Sequence, residues 1–287
     1  IDPLLLIERY GTDALRFALV REVAGAGQDI RLDYDRKKDT SATVEASRNF
    51  ANKLWNATRF ALMNLGGETP AQLGDPDPAA LQLADRWILS RLARVNRETA
   101  DRYSNYGLGE AAKGLYEFAW NDVCDWYLEL SKRRLNPGEN PSAEALADQR
   151  VAKQVLAKVI SQMHLMLHPL MPHLTEELWH SVTGEPETTF LALQPWPVLD
   201  ESALDDALEA SFAELIGAIR VVRNLRAVAG LKPSQSVPVR FVTSRADLKD
   251  VLEQGTADIT ALTRADSVDV MTPAQAEAAP VAKALAG

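Results

Sequence analysis

The sequence has almost no cysteine: Cys124 is the only one among 287 residues. One thiol can form neither an internal disulfide nor a cysteine-rich zinc site, which favours a protein of the reducing cytoplasm. Because Cys124 lies near Val123 and Trp126 on an expected helix, we interpret it as a small buried hydrophobe. No apolar run approaches the ~20 residues that span a bilayer, and no secretory signal is visible, so we expect no membrane contact.

Signatures of catalysis and of cofactor binding are also missing. Gly25 and Gly27 lack the third glycine and the preceding strand that a dinucleotide-binding loop requires. His164 and His168 lie four residues apart, but no cysteine or carboxylate completes a metal-ligand set, so packing and capping near Pro169 explain them better. No Ser–His–Asp or Cys–His arrangement can be assembled. We therefore expect no catalytic residue, no metal site and no cofactor in this chain.

The formal net charge of −9 argues mildly against nucleic-acid binding, because lysine and arginine supply phosphate contacts. The charge is unevenly spread, however, and cations outnumber anions between Arg31 and Asn64. The cations there are Arg31, Arg36, Lys37, Lys38, Arg48, Lys53 and Arg59, and the anions are Asp33, Asp35, Asp39 and Glu45. A local basic stripe on an acidic body is compatible with a specific RNA contact but not with indiscriminate binding.

Apolar periodicity predicts a mainly α fold, a helical bundle followed by a small α/β unit. Asp2-Pro3 is a typical helix opening, because Asp caps free N–H groups and Pro fits the first helical position. The longer expected helices run from about 33 to 65, 79 to 103, 108 to 135, 142 to 167, 174 to 181 and 204 to 229. Alternation predicts a strand at 237–242, with a possible second strand near 268–270. The Ala-rich end, 274–287, is expected to be weakly ordered.

The most informative of these helices is the one that ends at Leu65, because it has two different faces. Its apolar face is formed by Val44, Ala51, Leu54, Thr58, Ala61 and Leu65, and Phe50 projects towards that side. Its other face carries Arg48, Asn49, Asn52, Trp55, Asn56 and Arg59, with Lys53 at the edge. Asn disfavours helices, so a merely solvated face would be expected to contain other residues. Amides, fixed cations and an aromatic plane are the groups that hold unpaired bases and a phosphate backbone, although a polar face packed on another domain fits the periodicity equally well.

Two further groups of cations have alternative interpretations. Lys132, Arg133 and Arg134 close a helix, where cations complement the helix dipole, and RNA contact is the alternative. Arg220, Arg223 and Arg226 recur every third residue as possible secondary phosphate contacts, or they pair with the nearby acidic patch.

Four segments of the sequence resemble segments of a known family. The segment Arg48-Asn-Phe-Ala-Asn-Lys-Leu-Trp-Asn-Ala-Thr-Arg-Phe60 is similar to the first anticodon-domain helix of valyl-tRNA synthetases, in the class Ia group that includes the isoleucyl and leucyl enzymes. Residues 10–17 resemble the segment after the KMSKS loop of these enzymes, residues 168–179 a helix junction, and residues 219–226 the helix that follows the bundle. The resemblance covers residues 1 to about 245.

The resemblance implies a fold and a set of contacts. The fold would be a class Ia anticodon-binding helical bundle at 36–200, preceded by a stem-contact segment at 1–35 and followed by a small α/β unit at 201–287. The RNA contacts that it implies are Arg31, Arg48, Asn49, Phe50, Asn52, Lys53, Asn56 and Arg59. Phe50 would stack on an anticodon base, although the helical periodicity sends it inward.

The implied function is recognition of the anticodon arm of tRNA(Val) during protein biosynthesis. Because the chain opens with Ile1 rather than Met, we expect it to be part of a longer polypeptide. We also expect it to act as a monomer. Its partners would be tRNA(Val) and the catalytic domain of the same polypeptide. That domain would use ATP to attach valine, so this chain should be inactive alone. Two alternatives stay open, the same part of an isoleucyl or leucyl enzyme and a helical protein-interaction scaffold without RNA binding.

Overall fold

The structure, a computed structural model, describes residues 1–23, 30, 32–232 and 234–278. The chain divides into two compact units, Ile1–Leu204 and Asp205–Gly287. The mainly α fold class predicted from the sequence is confirmed, and the described residues form two sheets of two strands each. None of the helices in the described ranges is long and apolar enough to cross a membrane.

The first unit opens with two short helices, α1 (Pro3–Tyr10) and α2 (Thr12–Arg21). As predicted, Asp2 caps α1: its carboxylate accepts a hydrogen bond of 2.9 Å from the Leu4 N–H. Gly11 joins the helices with φ of 90°, a conformation that a residue with a Cβ rarely adopts. Leu6, Tyr10, Ala14, Leu15 and Ala18 from these helices form a buried cluster with Val44.

The long helix predicted to begin near Asp33 begins instead at Ala42, as α3 (Ala42–Leu65). The residues before it form an antiparallel hairpin of β1 (Tyr34–Asp35) and β2 (Thr40–Ser41). Asp33 does not start the helix but caps it from a distance, since its carboxylate accepts hydrogen bonds from the N–H groups of Ala42 and Thr43. The other end is as predicted, with Gly66 in the left-handed conformation after Leu65.

The remaining helices of the first unit pack around α3. Residues 108–135 form one continuous rod whose middle, Phe118–Tyr127, has the wider turns of a π-helix. The elements are α4 (Pro70–Leu73), α5 (Leu83–Ser104), α6 (Leu108–Glu117), the π-helical segment, α7 (Leu128–Leu135), α8 (Ala143–Leu167) and α9 (Pro172–Thr183). Contacts join α3 to α2, to the π-helical segment, to α8 and to α9, so that one face of α3 lies in the core.

A buried ion pair ties α7 to α5. The Arg134 guanidinium donates to Asp85 at 2.6 Å and to Asp148 at 2.7 Å, and both Arg134 and Asp85 are buried. Tyr127 donates its hydroxyl hydrogen to the second Asp85 oxygen at 3.0 Å. Removing one partner of such a pair leaves an uncompensated charge in the core. The RNA-contact alternative for Arg134 is therefore wrong, and Lys132 pairs with Glu129 at 2.6 Å.

The second unit is a β-α-α-β arrangement that follows the long helix α10 (Asp206–Val228). Strand β3 (Val237–Val242) is the predicted strand, and it pairs in parallel with β4 (Ala265–Met271), which contains the predicted second strand. The crossover between them consists of α11 (Ala246–Gln254) and α12 (Thr256–Thr263). The start of the tail that was expected to be weakly ordered is a short helix, α13 (Pro273–Ala278), and residues 279–287 lie outside the described residues.

We predict that Gly109→Ala destabilises the first unit. A Cβ at Gly109 would lie 2.0 Å from the carbonyl oxygen of Val23, a backbone atom that cannot move by itself. The free energy of unfolding, measured by urea denaturation, should fall by about 1–3 kcal/mol, the usual cost of overpacking. Gly114→Ala, on the same helix, is the matched control, because its Cβ would meet only the flexible end of Arg102. Equal stability of Gly109→Ala and the native chain would contradict the close approach of Gly109 to the Val23 carbonyl.

Candidate nucleic-acid interface

The inward face of α3 includes Phe50, which is fully buried. Its ring centroid lies 5.0 Å from that of Phe17 and 4.8 Å from that of Tyr116, with Trp120 at 6.4 Å. Helical periodicity predicted this inward direction, whereas the family resemblance implied stacking on a base. Phe50 presents no surface to a nucleotide in this structure, so its predicted base contact is wrong here, because three other rings already cover it.

A second inward contact joins α3 to α8. The Thr58 hydroxyl donates to the Leu54 carbonyl at 3.0 Å, so the His164 Nε2–H donates to the Thr58 oxygen at 2.9 Å. The other ring nitrogen of His164 is buried without a hydrogen-bond partner among the described residues. Burial lowers the pKa of His164 to about 3, which keeps the ring neutral at pH 7.

The outward face of α3 carries four of the predicted RNA-contact residues, Asn49, Asn52, Asn56 and Arg59. They follow one another at steps of three and four, and all are exposed, so they form one row along the helix. Within the described part of the chain, their side chains have no hydrogen bond and no ion pair. We call this row, together with Trp55, the α3 polar face.

Trp55 lies between Asn52 and Arg59 on this face and is 47% exposed. None of the other described aromatic rings contacts it. The tryptophans Trp87, Trp126 and Trp179 of the same unit are, by contrast, at most 6% exposed. Its outward direction was predicted from periodicity, but it was not among the predicted RNA contacts.

Two predicted contacts on α3 are half-buried and already have protein partners. Arg48 pairs with Glu45 at 3.3 Å and its guanidinium lies 5.6 Å from the centre of the Tyr10 ring. Lys53 pairs with Asp125 at 2.7 Å and lies 4.7 Å from the centre of the Trp120 ring. Both cations remain partly exposed at the edge of the α3 polar face, so each can also meet an anion.

The other predicted contacts are not brought to this face by the structure. Arg31 lies outside the described residues. In the second unit, Arg226 donates to the carbonyl of Gln235 at 2.6 Å, and Arg223 donates to the carbonyl of Leu262 at 3.0 Å. Arg226 therefore braces the segment that follows α10, and Arg223 braces the end of α12, both within the second unit. Arg220 and Arg223 are exposed. Their secondary phosphate contact stays a prediction.

Two sequence predictions about chemistry concern Cys124 and the histidines. Cys124 is buried as predicted, and burial raises the pKa of its thiol to about 12. His168 lies 2.8 Å from the Thr175 hydroxyl at the helix junction, and His180 lies 3.3 Å from Glu176. The described residues contain no group of three or more His, Cys, Asp and Glu side chains placed to hold a metal ion.

Comparison with known proteins identifies the family. The family model described as the anticodon-binding domain of tRNA ligase matches residues 85–241, more than half of the chain. The chain belongs to this family. The match begins at Asp85, after the end of α3, so it does not include the α3 polar face. RNA binding by this face is therefore inferred from the geometry of the face itself.

Close relatives extend the likeness to the whole chain. It is 93% identical over its full length to a valine–tRNA ligase of Parasynechococcus marenigrum, and 78% identical over 96% of its length to one of Prochlorococcus marinus. The chain spans only 31% and 30% of the lengths of these two relatives.

A solved structure agrees with the fold. The LeuRS of Agrobacterium radiobacter K84, in a ternary complex with tRNA and LeuAMS, superposes with a TM-score of 0.53 at 17% identity. The superposition covers 71% of this chain and 22% of that protein. At this identity the likeness shows the fold alone.

We predict that His164 makes the first unit acid-sensitive. An unfolded histidine has a pKa of about 6.5, so below that pH the unfolded chain gains a proton that the folded chain does not take up until about pH 3. Stability should therefore fall on acidification, by up to about 1.4 kcal/mol per pH unit between pH 6 and 4. His164→Gln should lose this part of the slope in urea denaturation, whereas exposed His173→Gln should keep it. Identical slopes for the native chain and His164→Gln would contradict a buried neutral ring.

Proposed function

We propose that this chain binds the anticodon arm of tRNA(Val) as part of a valine–tRNA ligase. The observation that supports it most is the α3 polar face, where exposed amides and an arginine have no partner among the described residues while the opposite face of the helix is buried in the core. The names of the relatives support valine over isoleucine and leucine, since both are valine–tRNA ligases.

The proposed mechanism divides the α3 polar face by chemistry. Arg59, with Arg48 and Lys53 at the edge, would fix the phosphate backbone and thereby set the position of the loop. Amides of Asn49, Asn52 and Asn56 each offer two donors and one acceptor oxygen, which suit the edges of splayed bases. Trp55 provides a plane on which a base can stack, a contact worth about 1–3 kcal/mol.

The acidic remainder of the chain would contribute selectivity. With a net charge of −9, the protein repels a polyanion at most orientations. An RNA would be held only where local cations and amides are exposed together, and its affinity would depend on salt.

The complete reaction would need the rest of the polypeptide. Since the chain spans about three tenths of its relatives, we propose that valine activation with ATP belongs to a catalytic domain elsewhere in the same polypeptide. This chain would position the tRNA for that domain and would have no ligase activity alone. We further propose that the protein acts as a monomer in the cytoplasm, where tRNA is charged.

We predict that Arg59→Ala and Asn52→Ala weaken tRNA binding in different ways. Arg59→Ala should weaken tRNA(Val), tRNA(Ile) and tRNA(Leu) equally and should reduce the slope of log affinity against log salt by about 1, because a phosphate contact carries no sequence information. Asn52→Ala should mainly reduce the preference for tRNA(Val), by about 1–3 kcal/mol, if it reads a base edge. Fluorescence anisotropy with labelled tRNA over a range of KCl concentrations measures both effects.

The control is Arg97→Ala, since Arg97 is exposed on α5 and also has no ion pair among the described residues. It should change neither the affinity nor the preference. Absence of tRNA binding at low salt, or equal binding by the native chain, Arg59→Ala and Asn52→Ala, would contradict the proposed function. A preference for tRNA(Ile) or tRNA(Leu) would contradict its assignment to valine.

A further inference from the structure

Helix α10 of the second unit has apolar side chains on two of its sides. On the core side, Phe212, Leu215, Ile219 and Val222 are buried, where α10 packs on α11 and α12. One such face is what a helix on the surface of a small α/β unit needs. A second apolar row lies on nearly the opposite side of α10, and the described residues leave it exposed.

The exposed row is made of large aliphatic side chains. Val221 is 56% exposed, Leu225 62% and Val228 87%. Their spacing of four and then three residues places them in one line along the helix, as in the apolar seam by which helices pack in pairs. Single exposed aliphatic residues are common on protein surfaces, whereas three in one line are typical of a face that packs on another helix.

Gly217 continues the same line, one turn before Val221. Glycine weakens the interior of a helix, because it adds conformational freedom to the unfolded chain. A Cβ at Gly217 would have no neighbouring atom within 4 Å, so packing among the described residues does not require a glycine there. The bare backbone and the open space beside it suit the close approach of a second helix, which would place a bulky side chain against Gly217.

We infer that the α10 apolar stripe, formed by Gly217, Val221, Leu225 and Val228, is a docking surface for an amphipathic helix from a part of the polypeptide outside this chain. The chain spans 31% of the length of its relative from Parasynechococcus marenigrum, so most of a polypeptide of that length is available to supply the helix. The inference rests on one element of the proposed function, that this chain belongs to a longer polypeptide. It does not depend on RNA binding.

The size of the stripe favours a tethered helix over a second copy of this chain. The three large side chains expose on the order of 300 Å² of apolar surface. Stable interfaces between separate proteins bury about 800 Å² per partner, so two copies joined by this stripe alone would associate weakly. A helix of the same polypeptide can use a smaller surface, because the connecting chain raises its effective concentration to the order of millimolar.

The length of the stripe defines the helix that fits it. From Gly217 to Val228 it extends about 16 Å, or three turns at 1.5 Å per residue. Towards the N-terminus of α10 it ends at Glu214, which pairs with Arg245 at 2.9 Å. The docked helix would therefore carry an aliphatic row of about three turns, with polar residues on its outer side.

The near-absence of cysteine makes the stripe easy to test by thiol labelling. Cys124 is buried, and burial raises the pKa of its thiol to about 12, so it reacts slowly. Leu225→Cys therefore adds one reactive thiol on the stripe. Ala227→Cys is the matched control, because Ala227 is exposed on the same helix but points away from the stripe. Each variant is labelled with a maleimide in this chain and in the longer polypeptide, and the modified peptide is quantified by mass spectrometry.

The two polypeptides should give different results. In this chain both thiols should react at similar rates. In the longer polypeptide, without tRNA, Leu225→Cys should react about tenfold more slowly or less, because labelling then requires local opening of the docked helix, whereas Ala227→Cys should keep its rate. Equal rates of Leu225→Cys labelling in the two polypeptides would overturn the inference.

Other occupants of the stripe would be recognised in the same experiment. Protection in this chain that grows with protein concentration, together with a dimer in sedimentation, would indicate a second copy and overturn the inference. Protection that requires added tRNA would indicate an RNA surface, with the same consequence. A short photo-cross-linker on the Leu225→Cys thiol should join a segment outside this chain, and a cross-link to a residue of this chain would contradict the assigned occupant.

A second variant tests the role of Gly217. Gly217→Leu should raise the labelling rate of the Leu225→Cys thiol several-fold in the longer polypeptide, because the added side chain fills the space that the docked helix needs. In this chain alone it should not lower the thermal unfolding temperature, since the space is open and leucine favours a helix. Ala227→Leu adds bulk elsewhere on α10 and should leave the labelling rate unchanged. Undiminished protection in Gly217→Leu would overturn the docking of a helix against Gly217.

The outcome is separable from tRNA binding. Full labelling of Leu225→Cys in the longer polypeptide would overturn the inference and leave the RNA contacts of the α3 polar face intact. Failure of the native chain to bind tRNA would overturn the proposed RNA binding and leave the labelling results unchanged.

Discussion

The burial of Phe50 fixes which side of α3 faces outward. Its ring is enclosed by Phe17 of α2, Tyr116 of α6 and Trp120 of the π-helical segment. Removal of a buried phenylalanine costs about 3–5 kcal/mol, so rotation of α3 about its axis would lose a comparable amount. The Thr58–His164 hydrogen bond, two turns further along α3, also opposes this rotation. The outward direction of Asn49, Asn52, Asn56 and Arg59 follows from these contacts.

The cations of this protein divide into those that stabilise the fold and those that remain available to a ligand. Arg134 is buried with Asp85 and also pairs with Asp148, so it cannot be counted towards RNA affinity. Arg226 already binds backbone carbonyls of its own unit, which any phosphate would have to share. Lys53 is intermediate, because Asp125 neutralises it in part while leaving it at the surface. Any RNA that contacts Lys53 would compete with Asp125, which reduces the net gain from that contact.

Much of the fold could be predicted from the sequence, because local signals determine it. Asp2-Pro3, Gly66 and the alternation at Val237–Val242 specify helix ends and a strand through backbone chemistry alone. The β1–β2 hairpin could not be predicted, since Asp33 resembles a helix start and its true role, capping α3 nine residues later, depends on a turn between them. For the candidate site, periodicity placed Phe50 inward and Trp55 outward, whereas the pairing of Lys53 with Asp125, 72 residues away, depends on packing that the pattern does not contain.

The most direct test of the account is hydroxyl-radical footprinting of the chain with and without tRNA(Val), read at Trp55. Free Trp55 is 47% exposed and should be oxidised readily. At saturating tRNA its oxidation should fall several-fold, while Tyr106, which is 88% exposed and lies outside α3, should be oxidised at an unchanged rate. Bound tRNA with an unprotected Trp55 would contradict the claim that the α3 polar face contacts the RNA.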